Sequence, residues 1–284
     1  DQASNRILKQ GPATPIPADS MTVQKCIDGC AAAGFSSAGV EFGKECFCDN
    51  VTYPPGQSEQ MNECNKPCTG DGSRICGGSD RVLIYNKPAT PPVITYRGRI
   101  EVYRVDTNAL LGYLAREAPT NKITTFSTVD KAQIVTFQAQ SGATSATQLE
   151  FTKENTADNF PFLGLVQGFI SADSDLEPGT IDYLLVSGTP HSEPGATPQT
   201  GSNAPNVATG RTNLKFESSV WSIDFSTGAL IPQWVNSNGS RPAETIVYNP
   251  SARVIFVVGD VVKFKQYQGE QNDYALKFKF VQIP

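Results

Sequence analysis

Seven cysteines, at positions 26, 30, 46, 48, 64, 68 and 76, carry the densest chemistry in this 284-residue chain, and the other 200 or so residues contain none. Thiols in that number either hold a metal or oxidise to disulfides. Zinc is the competing reading of such a cluster, and the single histidine, His191, together with the secreted character expected of the chain, argues against it. Cysteine this dense in a short segment is the mark of a stapled module folded in an oxidising compartment. No metal and no cofactor is expected.

The elements that must position these sulfurs are legible. Thr22 to Ala33 reads as a short helix, with Ser20 or Thr22 as its cap and Gly34 at its end. Cys26 and Cys30 sit four residues apart and share one helical face, whereas Cys46 and Cys48 share one face of the extended run Glu45–Cys48. Both spacings place the sulfur-bearing positions about 6–7 Å apart along their element. A helix laid on a strand can then form Cys26–Cys46 and Cys30–Cys48 side by side. Each closes a loop of about 20 residues, worth roughly 3 kcal/mol in the chain-entropy account. A shorter loop around Thr69-Gly70-Asp71-Gly72 can join Cys68 to Cys76. Cys64 is left over.

Catalytic chemistry finds little support. A Ser-His-Asp arrangement would need His191, which sits in the Pro- and Gly-rich run Thr189-Pro190-His191-Ser192-Glu193, where a flexible loop orients an imidazole poorly. No Gly-x-Ser-x-Gly elbow and no phosphate-binding glycine loop occurs. Glycoside hydrolysis needs only two carboxylates, one protonated and one ionised. Asp106 and Asp224 are a candidate pair, but each follows a strand and reads first as a turn residue bonding the next amides. The acidic run Asp173-Ser174-Asp175-Leu176-Glu177 lacks the pattern of a calcium loop and reads as a solvated turn. We expect no enzyme.

Net charge of −5 argues against a nucleic-acid footprint, and no run approaches the roughly 18 apolar residues of a membrane span. The chain opens at Asp1 without an apolar signal core, which reads as a processed secreted protein. Two sequons, at Asn50 and Asn238, are candidate glycosylation sites.

Met21-Thr22-Val23-Gln24-Lys25-Cys26, Gly39 to Asn50 with its Cys46-Phe47-Cys48, Cys64-Asn65-Lys66-Pro67-Cys68, Cys76-Gly77-Gly78 and Arg81-Val82-Leu83-Ile84-Tyr85 together resemble a WSC domain over about 80 residues. That family usually has eight cysteines, so the resemblance implies that Cys64 pairs with a cysteine about three residues upstream of Asp1. It also implies carbohydrate binding at the fungal cell wall, β-glucan in particular, hence an extracellular, wall-associated protein. Sugar sites need aromatic faces ringed by amides and carboxylates. Phe42, Phe47 and Tyr53 lie near Glu41, Asp49, Asn50 and Asn62, and of these Tyr53, Phe42, Phe47, Glu41, Asp49 and Asn62 are the candidate ligand residues. The two phenylalanines also suit the core of a tiny domain; Tyr53, in a Pro-rich loop, is the better exposed candidate.

We expect this small α+β module over 1–85, a Pro-rich joint over 86–93, and an all-β sandwich or jelly roll over 94–284. Strands are expected at Ile100–Val105, Gln133–Gln138, Gln148–Thr152, Leu163–Phe169, Ile181–Val186, Val220–Phe225, Glu244–Tyr248, Val254–Val258 and Ala275–Ile283. Val261–Gln266 makes at most two helical turns. Val102-Tyr103-Arg104-Val105-Asp106 recurs as Val220-Trp221-Ser222-Ile223-Asp224, and Asn108-Ala109-Leu110-Leu111 as Gly228-Ala229-Leu230-Ile231, which suggests two related units at about 94–170 and 217–284 packing as two sheets. Between them, Ser187 to Arg211 reads as a long polar loop or a partly disordered insert. Trp221 reads as core, whereas Trp234 suits either the core or a sugar platform. Wall polysaccharide is the expected partner. A hydrolase targeted by its first domain, and a self-associating structural wall protein, are the alternatives.

Overall fold

The computed structural model describes residues 6–50, 61–86, 91–116, 126–156, 159–269 and 272–284. It divides into two compact units, Asp1–Thr90 and Pro91–Pro284.

In the first unit, α1 (Val23–Ala32) starts where expected, with the Thr22 hydroxyl accepting from the Lys25 amide at 3.1 Å. Strands β1 (Ser37–Glu41), β2 (Glu45–Asp49) and β5 (Val82–Asn86) form an antiparallel sheet in the order β2-β1-β5. A short ribbon of β3 (Pro67–Cys68) and β4 (Asp71–Ile75) lies apart from it. The helix covers one sheet face through Cys26 and Cys30, which together with Met21, Ala38, Val40, Cys48, Cys68 and Cys76 make the buried cluster. On the outer edge of β2, Gln10 and Cys48 exchange backbone bonds of 2.9 and 2.8 Å, and the nearby Leu8 is fully buried.

The second unit runs β6 (Val93–Arg104), β7 (Leu110–Leu114), β8 (Phe126–Ser127), β9 (Ile134–Gln140), β10 (Ser145–Leu149), β11 (Thr152–Lys153), β12 (Phe162–Gln167), β13 (Tyr183–Thr189), α2 (Ala204–Thr209), β14 (Phe216–Glu217), β15 (Trp221–Asp224), β16 (Ala229–Pro232), β17 (Thr245–Asn249), β18 (Val254–Val258), α3 (Val261–Gln268) and β19 (Tyr274–Gln282). These strands differ from the expected two-sheet sandwich. They form one continuous antiparallel sheet in which β19-β17-β18-β13-β12-β11-β9-β6 closes on itself through a β6–β19 pairing. The length of β6 is the reason: residues 93–99 pair with β9 and residues 98–104 with β19, so one strand joins two edges that a sandwich leaves open. Gly98 lies where both pairings overlap, and a Cβ there would strike the Val281 carbonyl and the Phe280 ring.

Both sequence-related segments form hairpins, β6–β7 and β15–β16, whose tips place Asn108 (φ 56°) and Gly228 (φ 75°) in the left-handed region. They do not build separate sheets; β6 pairs with one edge of β19 and β16 with the other. Trp221 and Trp234 are both fully buried, their indole N–H groups donating to Leu163 O (2.6 Å) and Ser174 O (2.8 Å). This removes Trp234 as a sugar platform. The core around Trp221 includes Phe137, Phe151, Phe278 and Phe280.

Residues 187–211 are ordered, contrary to the partly disordered reading. Asn203 caps α2, and the amide groups of Asn203 and Asn206 both donate to Leu214 O, at 2.7 and 3.1 Å. Buried side-chain hydrogen bonds, rather than apolar periodicity, hold this stretch in place.

Candidate functional site

The first unit assembles its candidates around the β1–β2 hairpin. Here Lys44 N bonds Glu41 O at 3.2 Å, with Phe42 (φ 50°) and Gly43 (φ 77°) at the two left-handed centre positions. A bulky residue rarely adopts that conformation. The tip is held by neighbours: Gly43 N donates to Cys76 O at 2.8 Å, and Thr69 N to Gly43 O at 3.0 Å. Phe42 consequently stands outside the core, 44% exposed, with the Lys44 and Lys66 ammonium groups 5.7 and 5.5 Å from its ring.

Phe47 points to the opposite sheet face from the bonded cysteines and is capped by the Arg6 guanidinium 3.8 Å above its ring. Glu41 is buried beside Arg6, with 4.0 Å between charged atoms, and burial pushes its carboxyl above the usual range while Arg6 opposes the shift. Asp49 accepts from the amides of Lys9 (3.3 Å) and Asn50 (2.7 Å) at the far end of β2 from Phe42. Asn62 is exposed on a 3₁₀ turn, Met61–Glu63, and Tyr53 lies outside the described residues. The expected site therefore divides: Phe42 and Glu41 adjoin one hairpin tip, and Asp49 and Asn50 the other end of the strand.

The structure joins Cys26 to Cys46, Cys30 to Cys48 and Cys68 to Cys76, with Cα–Cα separations of 5.5, 5.4 and 4.9 Å. Cys64 is the one thiol left among the described residues; burial raises its pKa, and the partner expected for it lies outside them. Asn50 and Asn238 are both exposed, their side-chain oxygens accepting from the Ser36 and Ser240 amides at 3.0 and 2.8 Å.

Sequence reasoning missed a groove of about 560 Å³ between α1 and the sheet, where Ile27, Phe35 and Tyr85 meet Ser36, Ser37 and Asn86. Its aromatic and polar residues come from three separated segments, and only the helix-on-sheet packing unites them.

In the second unit, Asp106 forms an ion pair with Arg104 (2.7 Å), and Asp224 accepts from Ser226 N (2.8 Å) and Oγ (2.6 Å). Both act as turn residues, with carboxyls held below the usual range by those bonds. Asp175 is likewise bonded to Ser237 N at 2.7 Å. His191 is better oriented than its sequence suggests: Nδ1 meets Glu150 at 2.8 Å and Nε2 meets Glu193 at 3.2 Å, and these bonds raise its pKa. The nearby Ser218 hydroxyl donates to Glu150 instead of facing the imidazole, so the group is not built as a nucleophile with its base.

A second acid pair had no sequence signal. Glu217 accepts from the Val235 amide at 3.2 and 3.3 Å, and Glu244 from the adjacent Trp234 amide at 2.5 Å. Burial, reinforced by the charge on Glu244, pushes the Glu217 pKa up to about 9; burial pushes that of Glu244 up to about 7.

Residues 3–78 match the family model of the WSC domain. This segment is a WSC domain. A WSC domain-containing protein of Arthroderma benhamiae is 39% identical over 97 residues, covering 34% of this chain and 10% of that protein. Kremen protein 1 of Homo sapiens is 36% identical over 74 residues, 26% of this chain and 16% of that protein. Xylosyltransferase oxt of Drosophila melanogaster is 38% identical over 61 residues, 22% of this chain and 7% of that protein. The chain thus spans about a tenth of the length of such relatives. The WSC match marks the first unit as a candidate carbohydrate-binding module. No helix among the described residues is long and apolar enough to cross a membrane.

Proposed function

We propose that this is an extracellular glycan-binding protein whose WSC domain holds wall polysaccharide of the β-glucan type without cleaving it. The observation that carries this reading is Phe42, an aromatic ring held in solvent by a left-handed backbone and flanked by Lys44 and Lys66. A pyranose presents an apolar face to such a ring and hydroxyls to the polar groups around it. Three disulfides support an oxidising compartment. One shallow site binds weakly, and repeated sugar units along a polymer supply avidity.

The test is retention of the full chain on insoluble β-1,3-glucan, with reducing sugar measured in the supernatant. Retention that falls several-fold in Phe42→Ala, with no sugar released, supports the proposal; equal retention by the variant defeats it. A second reading, hydrolysis by the C-terminal unit, draws on Glu217 and Glu244, whose raised pKa values suit an acid kept protonated. Against it stands the position of Glu217, which is only 2% exposed and out of reach of a polymer. Sugar release abolished by Glu217→Gln would favour that reading.

A further inference from the structure

The outer face of β19 and the strands beside it gathers positive charge. Inward-facing Ile100, Val102, Leu230, Leu276 and Phe278 fill the core, so their neighbours Arg99, Glu101, Tyr103, Ile231, Lys277 and Lys279 point outward. The register sets Tyr103 opposite Lys277 and Glu101 opposite Lys279. Three cations and one carboxylate thus share a patch on a chain whose net charge is −5. That carboxylate is engaged, since the Tyr103 hydroxyl donates to Glu101 at 2.7 Å. Of the acids at the two hairpin tips, Asp106 is paired with Arg104 and Asp224 is bonded within its own turn. Lys277 donates to the neutral Asn108 side chain, and its ammonium lies 5.8 Å from the Tyr103 ring.

The patch is concave. A cavity of about 360 Å³ lies between the hairpin tips, lined by Tyr103, Asn108, Thr227, Ile231, Lys277 and Lys279. Its lining offers an aromatic ring, a 57%-exposed isoleucine, an amide, a hydroxyl and two ammonium-bearing side chains. The apolar parts suit the face of a sugar ring, Asn108 and Thr227 suit hydroxyls, and the lysines require negative charge.

We propose that this groove is a second glycan site, in the C-terminal unit, selective for acidic polysaccharide. It is independent of the WSC-domain reading. Charge complementarity selects the ligand: a neutral glucan brings no opposite charge to the two ammonium groups, whereas carboxylate or phosphate groups on the sugar form charge-assisted bonds with them.

The experiment titrates the full chain with oligogalacturonate, with phosphomannan oligosaccharide and with neutral laminari-oligosaccharide. The proposal expects at least one anionic probe to bind, and the better of the two identifies the acidic group. The Lys277→Gln/Lys279→Gln variant should bind it roughly tenfold or more weakly, and raising the salt to about 1 M should weaken the wild type as well. Lys277→Arg/Lys279→Arg should retain binding, and Ile231→Glu, which adds a carboxylate to the floor, should lose it. All these positions are exposed, and an unchanged melting temperature certifies each fold. Binding of neither anion, equal binding by the glutamine variant, or equal competition by inorganic phosphate at matched charge would overturn the site. Phe42→Ala should leave anionic binding intact, so loss of laminari-oligosaccharide binding alone bears on the WSC domain and not on this groove.

Discussion

The two units hold together by opposite means. In the WSC domain five of the eight residues in the buried cluster are cysteines, so covalent links occupy the place of a core. In the C-terminal unit twenty-five buried apolar residues, none of them cysteine, make one continuous cluster inside a closed ring of strands. A segment of about 80 residues buries too little apolar surface to be secure without staples, whereas nearly 200 residues can rely on packing alone. The same contrast decides where binding residues can stand. Staples free Phe42 from the core of the small unit; in the large unit the tryptophans are consumed by packing and the outer sheet face supplies the groove.

The largest expected effect breaks the packing side of this contrast. Trp221 is fully buried, lies with its ring centroid 5.9 Å from that of Phe151 and 6.1 Å from that of Phe278, and donates to Leu163 O. Trp221→Ala leaves a large cavity and an unpaired carbonyl and should cost about 3–5 kcal/mol. Calorimetry should show the transition of the C-terminal unit falling while that of the WSC domain holds. The converse experiment replaces Cys26 and Cys46 by serine. Removing a crosslink between positions 20 residues apart should cost roughly 3 kcal/mol. Only the WSC-domain transition should move, and reductant should lower it in the wild type too. A single merged transition in both experiments would show that the two units do not stabilise themselves separately.

A third prediction concerns pH. Glu217 has a folded pKa raised to about 9, above its ordinary value of 4.5. Between those values the folded state binds more protons than the unfolded one, so stability is full at low pH and declines as pH rises toward 9. Glu244, raised to about 7, acts in the same direction over a narrower window. The slope per group cannot exceed about 1.4 kcal/mol per pH unit. Urea midpoints between pH 5 and pH 9 should fall for the wild type and fall less for Glu217→Gln, which keeps the shape and the acceptor without the charge. The variant should be flat above about pH 7, where Glu244 has already ionised.

Much of this was legible in residue types. Eight of the nine strands expected from alternation are present, β18 (Val254–Val258) to the residue, and the helix cap at Thr22 forms; the ninth, Gln148–Thr152, is broken at residues 150–151 and divides between the end of β10 and the start of β11. Closure into a ring was not legible, because it depends on β6 being long enough to serve two partners, and alternation reports faces rather than edges. The stretch 187–211 reads equally as a polar loop or a partly disordered insert, because Asn203 and Asn206 order it through buried hydrogen bonds that leave no apolar pattern. Glu217 and Glu244 gave no signal, since their amide partners at Val235 and Trp234 come from a crossing segment. In the WSC domain the sequence named Phe42 but could not say which way it points. That depends on one backbone angle.

The smallest expected change in stability tests that angle. Type I′ turns prefer Asn-Gly at their centre, and this hairpin carries Phe42-Gly43 instead. An L-residue with a Cβ in the left-handed region costs roughly 1–2 kcal/mol, less for asparagine, whose short side chain bonds locally. Phe42→Asn should therefore stabilise the WSC domain by up to about 1 kcal/mol, read as a rise in its thermal transition, with the C-terminal unit unmoved. If Phe42 is held in strain for its ligand, the more stable variant should also lose most retention on β-1,3-glucan. A variant that melts higher and still holds the polymer would assign the ring to no ligand. One that melts lower would show that contacts with Lys44 and Lys66 outweigh the strain at the hairpin tip.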